Sequence, residues 1–380
     1  MTSDVRLFDS ETIDALHWPT DRRGQFARRY LLPLIKHGPR RYIDNVSAGM
    51  LALAVDDVVV PVVLGQGGSR DSNVCSPYSH YVEYAKHEMR ELANPLIRGA
   101  LGAFLSSLGV VLRTGELDRV VFVNNWLLTT NPPAPLSREQ IAAITSHLVE
   151  AFPDRAIVFR SVEGRAHPHF LEALRDNRYI TISSRTIYFL SPSTIASSKR
   201  KDAIRDMKLL ADSPHEIVPA EQLSEADVPR ITRLYRELYL DKYTPLNPQF
   251  NERFFAHVLQ TRALEFRALR KDGTIDAFAT WYLWNGMMVG TMVGYDRSLP
   301  TEIGLYRQVL ALFIGEALRK ELLAHLSAGA GRFKMFRGGA PTVEFDAVYE
   351  RHLPSRRHLP WQCLRMLFNG PIFRRLSATV

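Results

Sequence analysis

From Leu51 onward the chain alternates short apolar runs with longer segments whose apolar residues recur at helical spacing. Leu51–Val55 and Val58–Leu64 are strand-like runs on either side of Asp56-Asp57, the pattern of a tight hairpin. Residues 65–72 (GQGGSRDS) read as a loop. Tyr81–Leu108 has helical character, and Pro95 must start a new helix or kink the old one. Val120–Leu128 (VVFVNNWLL) predicts a strand. Ser137 predicts a helix cap, with Gln140 completing a capping box and the helix running through Ala151. Ala156–Ser161 reads as a strand, Pro168–Asn177 as a short helix and Tyr179–Leu190 as a long strand.

Small polar residues at 191–198 (SPSTIASS) mark the best boundary between two domains, 1–192 and 193–380. A basic connecting helix, Lys199–Leu210, and a short strand, Glu216–Pro219, follow. Ser224 caps a helix through Tyr239, and Pro248 opens another through Gln260. Glu265–Arg270 and Ala277–Leu283 are strands around the turn signal Asp272-Gly273. The order then becomes strand (Met287–Tyr295), turn cluster (Asp296–Pro300), helix (Leu305–Lys320, opened by Gly304), strand (Leu322–Ser327) and a glycine- and base-rich loop (Ala328–Ala340). Both halves share this alternation without a residue-level repeat, which gives an α/β layout, classed α+β.

A helix that starts just past a strand aims unpaired N–H groups and a positive dipole end at the strand tip, a geometry suited to phosphate or an oxyanion. Gly304 and Arg307 stand at that start, and Arg332, Lys334 and Arg337 bring positive charge to the same edge. The charge balance agrees: net +8 with a pI near 9.5. Lys199, Arg200, Lys201, Arg205 and Lys208 form one basic cluster, and six arginines with no acid fill 351–380. Such clusters favour polyanionic partners: RNA, a phosphorylated cofactor or a membrane surface. Arg351, Arg356 and Arg357 with Lys199 and Arg200 are expected to form one such surface.

The acidic N-terminus and the absence of a membrane-length apolar run predict a cytoplasmic protein without stable membrane insertion. Cys75 and Cys363 are far apart and lack metal-ligand spacing, so no metal is expected. His87-Glu88-Met89-Arg90-Glu91 begins like a zinc-protease helix but ends in Glu, which removes the second ligand. Phosphate-loop spacing, the dinucleotide glycine pattern and a nucleophile elbow are all missing from the sequence. Hydrolase, kinase and dehydrogenase readings therefore lack support. Aromatic and polar residues that are candidates for contacting a substrate are Tyr78, Tyr81, Asn125 and Tyr243. Tyr235, Tyr239 and Tyr243 share one helical face.

The second half resembles the GNAT superfamily, and more closely the tandem-GNAT arrangement of the Fem-type aminoacyltransferases. The pieces that carry the resemblance are SSKRKDAIRDMK (197–208), the hairpin around Asp272-Gly273, VGYD (293–296) with PTEIGLYRQVLALFIGEALRK (300–320), and AGAGRFKMFRGG (328–339). The first half resembles the companion domain in element order and in its Leu174–Ile180 edge. The resemblance implies two GNAT-like domains, each a mixed, mostly antiparallel sheet flanked by helices. It also implies acyl transfer to an amine or hydroxyl, on a small-molecule or peptide acceptor, from acyl-CoA or from aminoacyl-tRNA, with tRNA a partner in the second case. The donor would meet Gly304, Tyr306, Arg307 and Arg337. Lys334 matches a lysine that faces the donor in the Fem-type loop. Asp296 at the strand tip is the expected base, with Glu344 the alternative. The competing reading is a non-catalytic GNAT-like module that binds RNA or another polyanion.

Overall fold

A computed structural model describes residues 3–67, 71–88, 94–194 and 201–370. Lys199, Arg200, Arg374 and Arg375 of the basic clusters lie outside these residues, as do Met89, Arg90 and Glu91. The first half of the chain forms β1 (Val5–Phe8), α1 (Arg22–His37), β2 (Gly49–Val55), β3 (Val58–Leu64), α2 (Pro95–Thr114) and β4 (Val120–Val123). It continues with α3 (Arg138–Ala151), β5 (Ala156–Val162), α4 (Pro168–Asp176) and β6 (Ile180–Leu190). The second half forms α5 (Lys201–Ala211), β7 (Glu216–Pro219), α6 (Val228–Arg236), α7 (Glu252–Thr261), β8 (Glu265–Lys271), β9 (Thr274–Trp284) and β10 (Met287–Tyr295). Then come α8 (Leu305–Arg319), β11 (Leu323–His325), α9 (Gly331–Phe336), β12 (Ala340–Tyr349) and α10 (Ser355–Phe368).

The chain folds into two compact units. The first runs to Ser184 and takes back Thr244–Gln249 and the chain from Glu344; the second holds Arg185–Tyr243 and Phe250–Val343. In the first unit β1, β2, β3 and β4 pair antiparallel in turn, β4 pairs β5 in parallel, and β5 pairs β12 antiparallel. In the second, β7, β8, β9 and β10 pair antiparallel in turn, β10 pairs β11 in parallel, and β11 pairs β6 antiparallel. The strands of the two units thus share one order, with the parallel pair in the same place. The sixth strand of each comes from the other half of the sequence: Phe345–Tyr349 completes the first, and Phe189–Leu190 the second.

One face of the first sheet packs Val62, Val121, Ile157 and Phe159 against Ile141, Ile144 and Leu148 of α3 and Leu171 and Leu174 of α4. In the second unit Leu269, Ala279, Trp281 and Met288 pack against Val309, Phe313 and Ile314 of α8. All three helices are drawn to the strands by apolar residues at one-turn spacing. The expected capping box at Ser137 forms, with Gln140 N–H donating to Ser137 Oγ at 3.2 Å and Ser137 N–H to Gln140 Oε1 at 3.0 Å.

Several local expectations need correction. The apolar run at 120–128 is a strand only to Val123, because Asn124 and Leu127 turn the backbone to positive φ (58° each). The basic loop after β11 contains α9. The helix expected from Pro248 begins at Glu252, capped by Asn251, whose side chain accepts from Phe254 N–H. β1, α1, β12 and α10 stand where no element was expected; α1 is capped by Asp21, which accepts from Gly24 N–H at 2.8 Å.

The exchange of sixth strands predicts the behaviour of the separated halves. Cutting between residues 192 and 193 removes β12 from β5 and β6 from β11, leaving two unpaired strand edges. Fragments 1–192 and 193–380 are expected to aggregate when expressed apart and to give a folded circular dichroism spectrum when coexpressed. Two fragments that each fold alone with a sharp thermal transition would contradict the exchange.

Candidate active site

β10 and β11 run side by side for only three residues, Met287–Val289 against Leu323–His325. β10 then continues to Tyr295, paired with β9 on its other side. Its register breaks between Gly290 and Met292, and Thr280 pins the bulge. The Thr280 and Thr291 hydroxyls lie 2.6 Å apart, and Thr280 Oγ1 accepts from Met292 N–H at 3.1 Å. A bulge bends the strand locally, and pairing with β11 ends just before it. Past the end of β10, Gly304 takes a left-handed conformation (φ 68°) and opens α8 without any side-chain cap. The left-handed backbone favours glycine there, and a side chain would press on the terminal methyl of Leu209 of α5 at 2.8 Å.

The first turn of α8 therefore presents N–H groups next to Arg307 and Tyr306. Arg307 Nε donates to Asp206 Oδ1 at 2.6 Å, and Arg337 Nε binds the other oxygen of that carboxylate. Asp206 and Arg337 are buried, while Arg307 is 40% exposed. Arg337 also lies flat on the Phe333 ring, 3.3 Å from its centroid, and donates to Phe333 O at 2.9 Å. Tyr306 packs against Tyr295 (5.8 Å) and Phe333 (4.9 Å), and burial pushes its phenol up. Tyr239 and Tyr243 approach Tyr306 closely enough to add to that shift. Tyr243 is exposed, with Lys242 over its ring. The second unit thus gathers Gly304, Tyr306, Arg307, Arg337 and Tyr243 into one region.

Lys334 on α9 is buried, with Nζ donating to the carbonyls of Ser327 (3.3 Å) and Ala328 (2.7 Å). Tyr188 lies beneath it, 5.7 Å from Nζ to the ring centre. Burial, aided by Arg185, lowers its pKa to about 7. Asp296 sits in a different electrostatic setting. Burial raises its carboxyl, but Ser298 and Arg230 hydrogen bonds more than offset this and leave the pKa at about 2. Arg230 donates to it at 2.6 Å and also binds Ile275 O, close to Asp276 and His215. That network fixes the β9–β10 tip and engages the Asp296 carboxylate.

The other expected residues belong to the first unit. Tyr81 is buried and donates to Asp346 Oδ2 at 2.8 Å; Glu344, also buried, adds to the upward push on its phenol. Arg160 lies 3.9 Å from Asp346 and donates to Val74 O. Asn125 is fully enclosed: it donates to Val74 O at 2.7 Å and accepts from Leu127 N–H at 3.0 Å. Tyr78 lies under the Arg113 guanidinium, 4.3 Å away, with its N–H on Asp118. Arg357, expected on a surface, is buried. It donates to the carbonyls of Asp154 and Glu116 and serves the packing of α10.

Residues 197–336 match the family model for the acetyltransferase (GNAT) domain. This stretch is similar to a GNAT domain. FemX shares the fold at 8% identity, with a TM-score of 0.51 over 92% of this chain and 98% of that one. A conserved protein of unknown function from Bacteroides thetaiotaomicron aligns at 13% identity and TM-score 0.48, covering 90% and 96%. A tandem GNAT protein from the clavulanic acid biosynthesis pathway aligns at 11% and 0.40, covering 93% and 100%. The comparison with curated proteins found no match.

Within the matched stretch the residue that joins the basic groups, Asp206, escaped the sequence reading. Its signal was there: it stands on the inward stripe Ala203, Asp206, Met207, Leu210 of a basic helix. A carboxylate on an apolar stripe needs cationic partners from elsewhere in the fold. Replacing it leaves Arg337 buried without its counter-charge. Asp206→Asn is expected to cost about 3–5 kcal/mol of stability, read from denaturant unfolding, whereas Asp202→Asn on the same helix should be near neutral. Equal, small effects of both would show that the Arg337 pair contributes nothing.

Proposed function

We propose that the protein is an acyltransferase, moving an acyl or aminoacyl group from a phosphate-bearing activated donor to an amine or hydroxyl. The observation that carries this reading is the uncapped start of α8 beside the stretch of β10 that runs past β11. Donor phosphates would meet the N–H groups of α8 and the exposed face of Arg307. The extended arm of the donor would lie along β10, whose outer N–H and C=O groups suit an added chain. Acyl-CoA and aminoacyl-tRNA both supply a phosphate and an activated carbonyl.

Aminolysis needs a base for the attacking amine, donors for the oxyanion, and proximity. Of the expected groups, Lys334 is the one we place in the reaction. When it is neutral, two carbonyls take its N–H bonds and the lone pair is left to accept a proton. A pKa of about 7 suits that task near neutral pH. Asp296 would act through its ion pair with Arg230, holding the β10 tip in place.

Because burial lowers the Lys334 pKa, the neutral form grows as pH rises through about 7, and the rate should climb through the same window. Lys334→Met is expected to lower kcat about a hundredfold to ten-thousandfold and to erase that rising limb. Native mass spectrometry of the purified protein identifies the donor class through co-purified CoA or tRNA. An unchanged pH profile in the variant would remove Lys334 from the reaction. Binding of a donor without turnover would support the polyanion-binding module instead.

A further inference from the structure

α2 and α10, both in the first unit, leave an unusual surface exposed. Leu105, Leu108 and Leu112 bury one side of α2, while Leu96 (83% exposed) and Val110 (63%) on the opposite side and Phe104 (49%) at the border of the buried stripe meet solvent. The three hydroxyls on the exposed faces do not need water. Ser106 donates to Gly102 O at 2.8 Å, Ser107 to Ala103 O at 3.1 Å and Thr114 to Val111 O at 2.9 Å. On α10, Trp361, Leu364 and Phe368 face inward. Leu359 (54%) and Met366 (69%) occupy the centre of the outer side, flanked by exposed Arg356 and Arg365. The helices adjoin: a side chain on Gly115, just past α2, would strike Pro360 of α10 at 2.1 Å.

Charge on the two helices themselves has one sign, the nearest acid, Glu116 past the end of α2, being paired with Arg357 and Arg119. Neither Pro95–Thr114 nor Ser355–Phe368 contains an acidic residue, and Arg98, Arg113, Arg356 and Arg365 are all exposed. Aliphatic side chains at the centre, cations at the flanks and hydroxyls turned back on the helix fit a partner that is apolar in depth and anionic at its rim. We infer that this face docks on an anionic lipid surface, with α2 and α10 lying in the headgroup region and not crossing it. Arginine stems reach past apolar neighbours to place their charge at headgroup level. Among the described residues no helix is long and apolar enough to cross a membrane, so the contact is peripheral. A nucleic acid would use the arginines but gain nothing from exposed Leu, Val and Met. A second copy of the chain would bring arginine against arginine.

The test is flotation of the full-length protein with vesicles of phosphatidylcholine alone and with phosphatidylglycerol mixed in. Binding is expected only to the anionic vesicles and should weaken as salt rises. Val110→Glu with Leu359→Glu should lower the partition coefficient at least about tenfold. Arg356→Gln and Arg365→Gln should each lower it about fivefold. Circular dichroism is expected to be unchanged, since all four side chains are exposed. Equal binding to both vesicle types, or full binding by the glutamate variant, would overturn the inference. So would a dimer in light scattering that Val110→Glu dissolves, or an RNA complex that competes with vesicles and is insensitive to the apolar changes.

Discussion

Asp206 carries a guanidinium on each of its carboxylate oxygens, one from the first turn of α8 and one from the end of α9. The α5 helix that supplies it is thereby fixed to both elements, and Leu209 on the same helix sets the space available at Gly304. A buried carboxylate between two arginines has strict geometric demands, because any displacement leaves a charge unpaired in a dry interior. The candidate site inherits its shape from that constraint. Arg337 is neutralised and pressed on Phe333, while Arg307 keeps an exposed side and the α8 N–H groups stay uncapped. The net charge of the trio is one positive unit (two arginines minus one aspartate), suited to attract a phosphate without holding it permanently.

The same reasoning separates two residues that look alike in sequence as polar groups at strand tips. Asp296 is ionised and saturated by Arg230 and Ser298, so it contributes structure. Its stabilising effect is full above pH 3.8 and fades as pH falls to about 2. Lys334 is taken out of water, which makes its neutral form accessible near pH 7 and its proton labile. Burial raises or lowers a group by the sign of its charge, and the partners it keeps decide whether it stays reactive.

Hairpins and the helix after β10 were legible because each follows from local chemistry: turn residues, helical periodicity and short apolar runs. The exchange of sixth strands was not, since β6 and β12 pair across long sequence separations that no local signal encodes. The run at 120–128 misled for a physical reason. Asn131 and Asn125 take over hydrogen bonds that a ladder would have made, accepting from Trp126 N–H and Leu127 N–H. A buried irregular segment can therefore be as apolar as a strand. Arg357 misled in the opposite way: an arginine-rich tail suggested a surface, yet this one satisfies backbone carbonyls inside the unit. Gly304, Tyr306, Arg307 and Arg337 were legible as a group because a helix start after a strand tip is itself a local feature.

Hydrogen–deuterium exchange with and without a non-reactive acyl-CoA or aminoacyl-tRNA analogue tests the placement of the donor most directly. The account predicts slowed exchange at the amides of Leu305, Tyr306 and Arg307 and along Gly290–Tyr295, with little change at the β7–β8 edge. Protection confined to the first unit, with 290–295 and 305–307 unaffected under saturating donor, would contradict it.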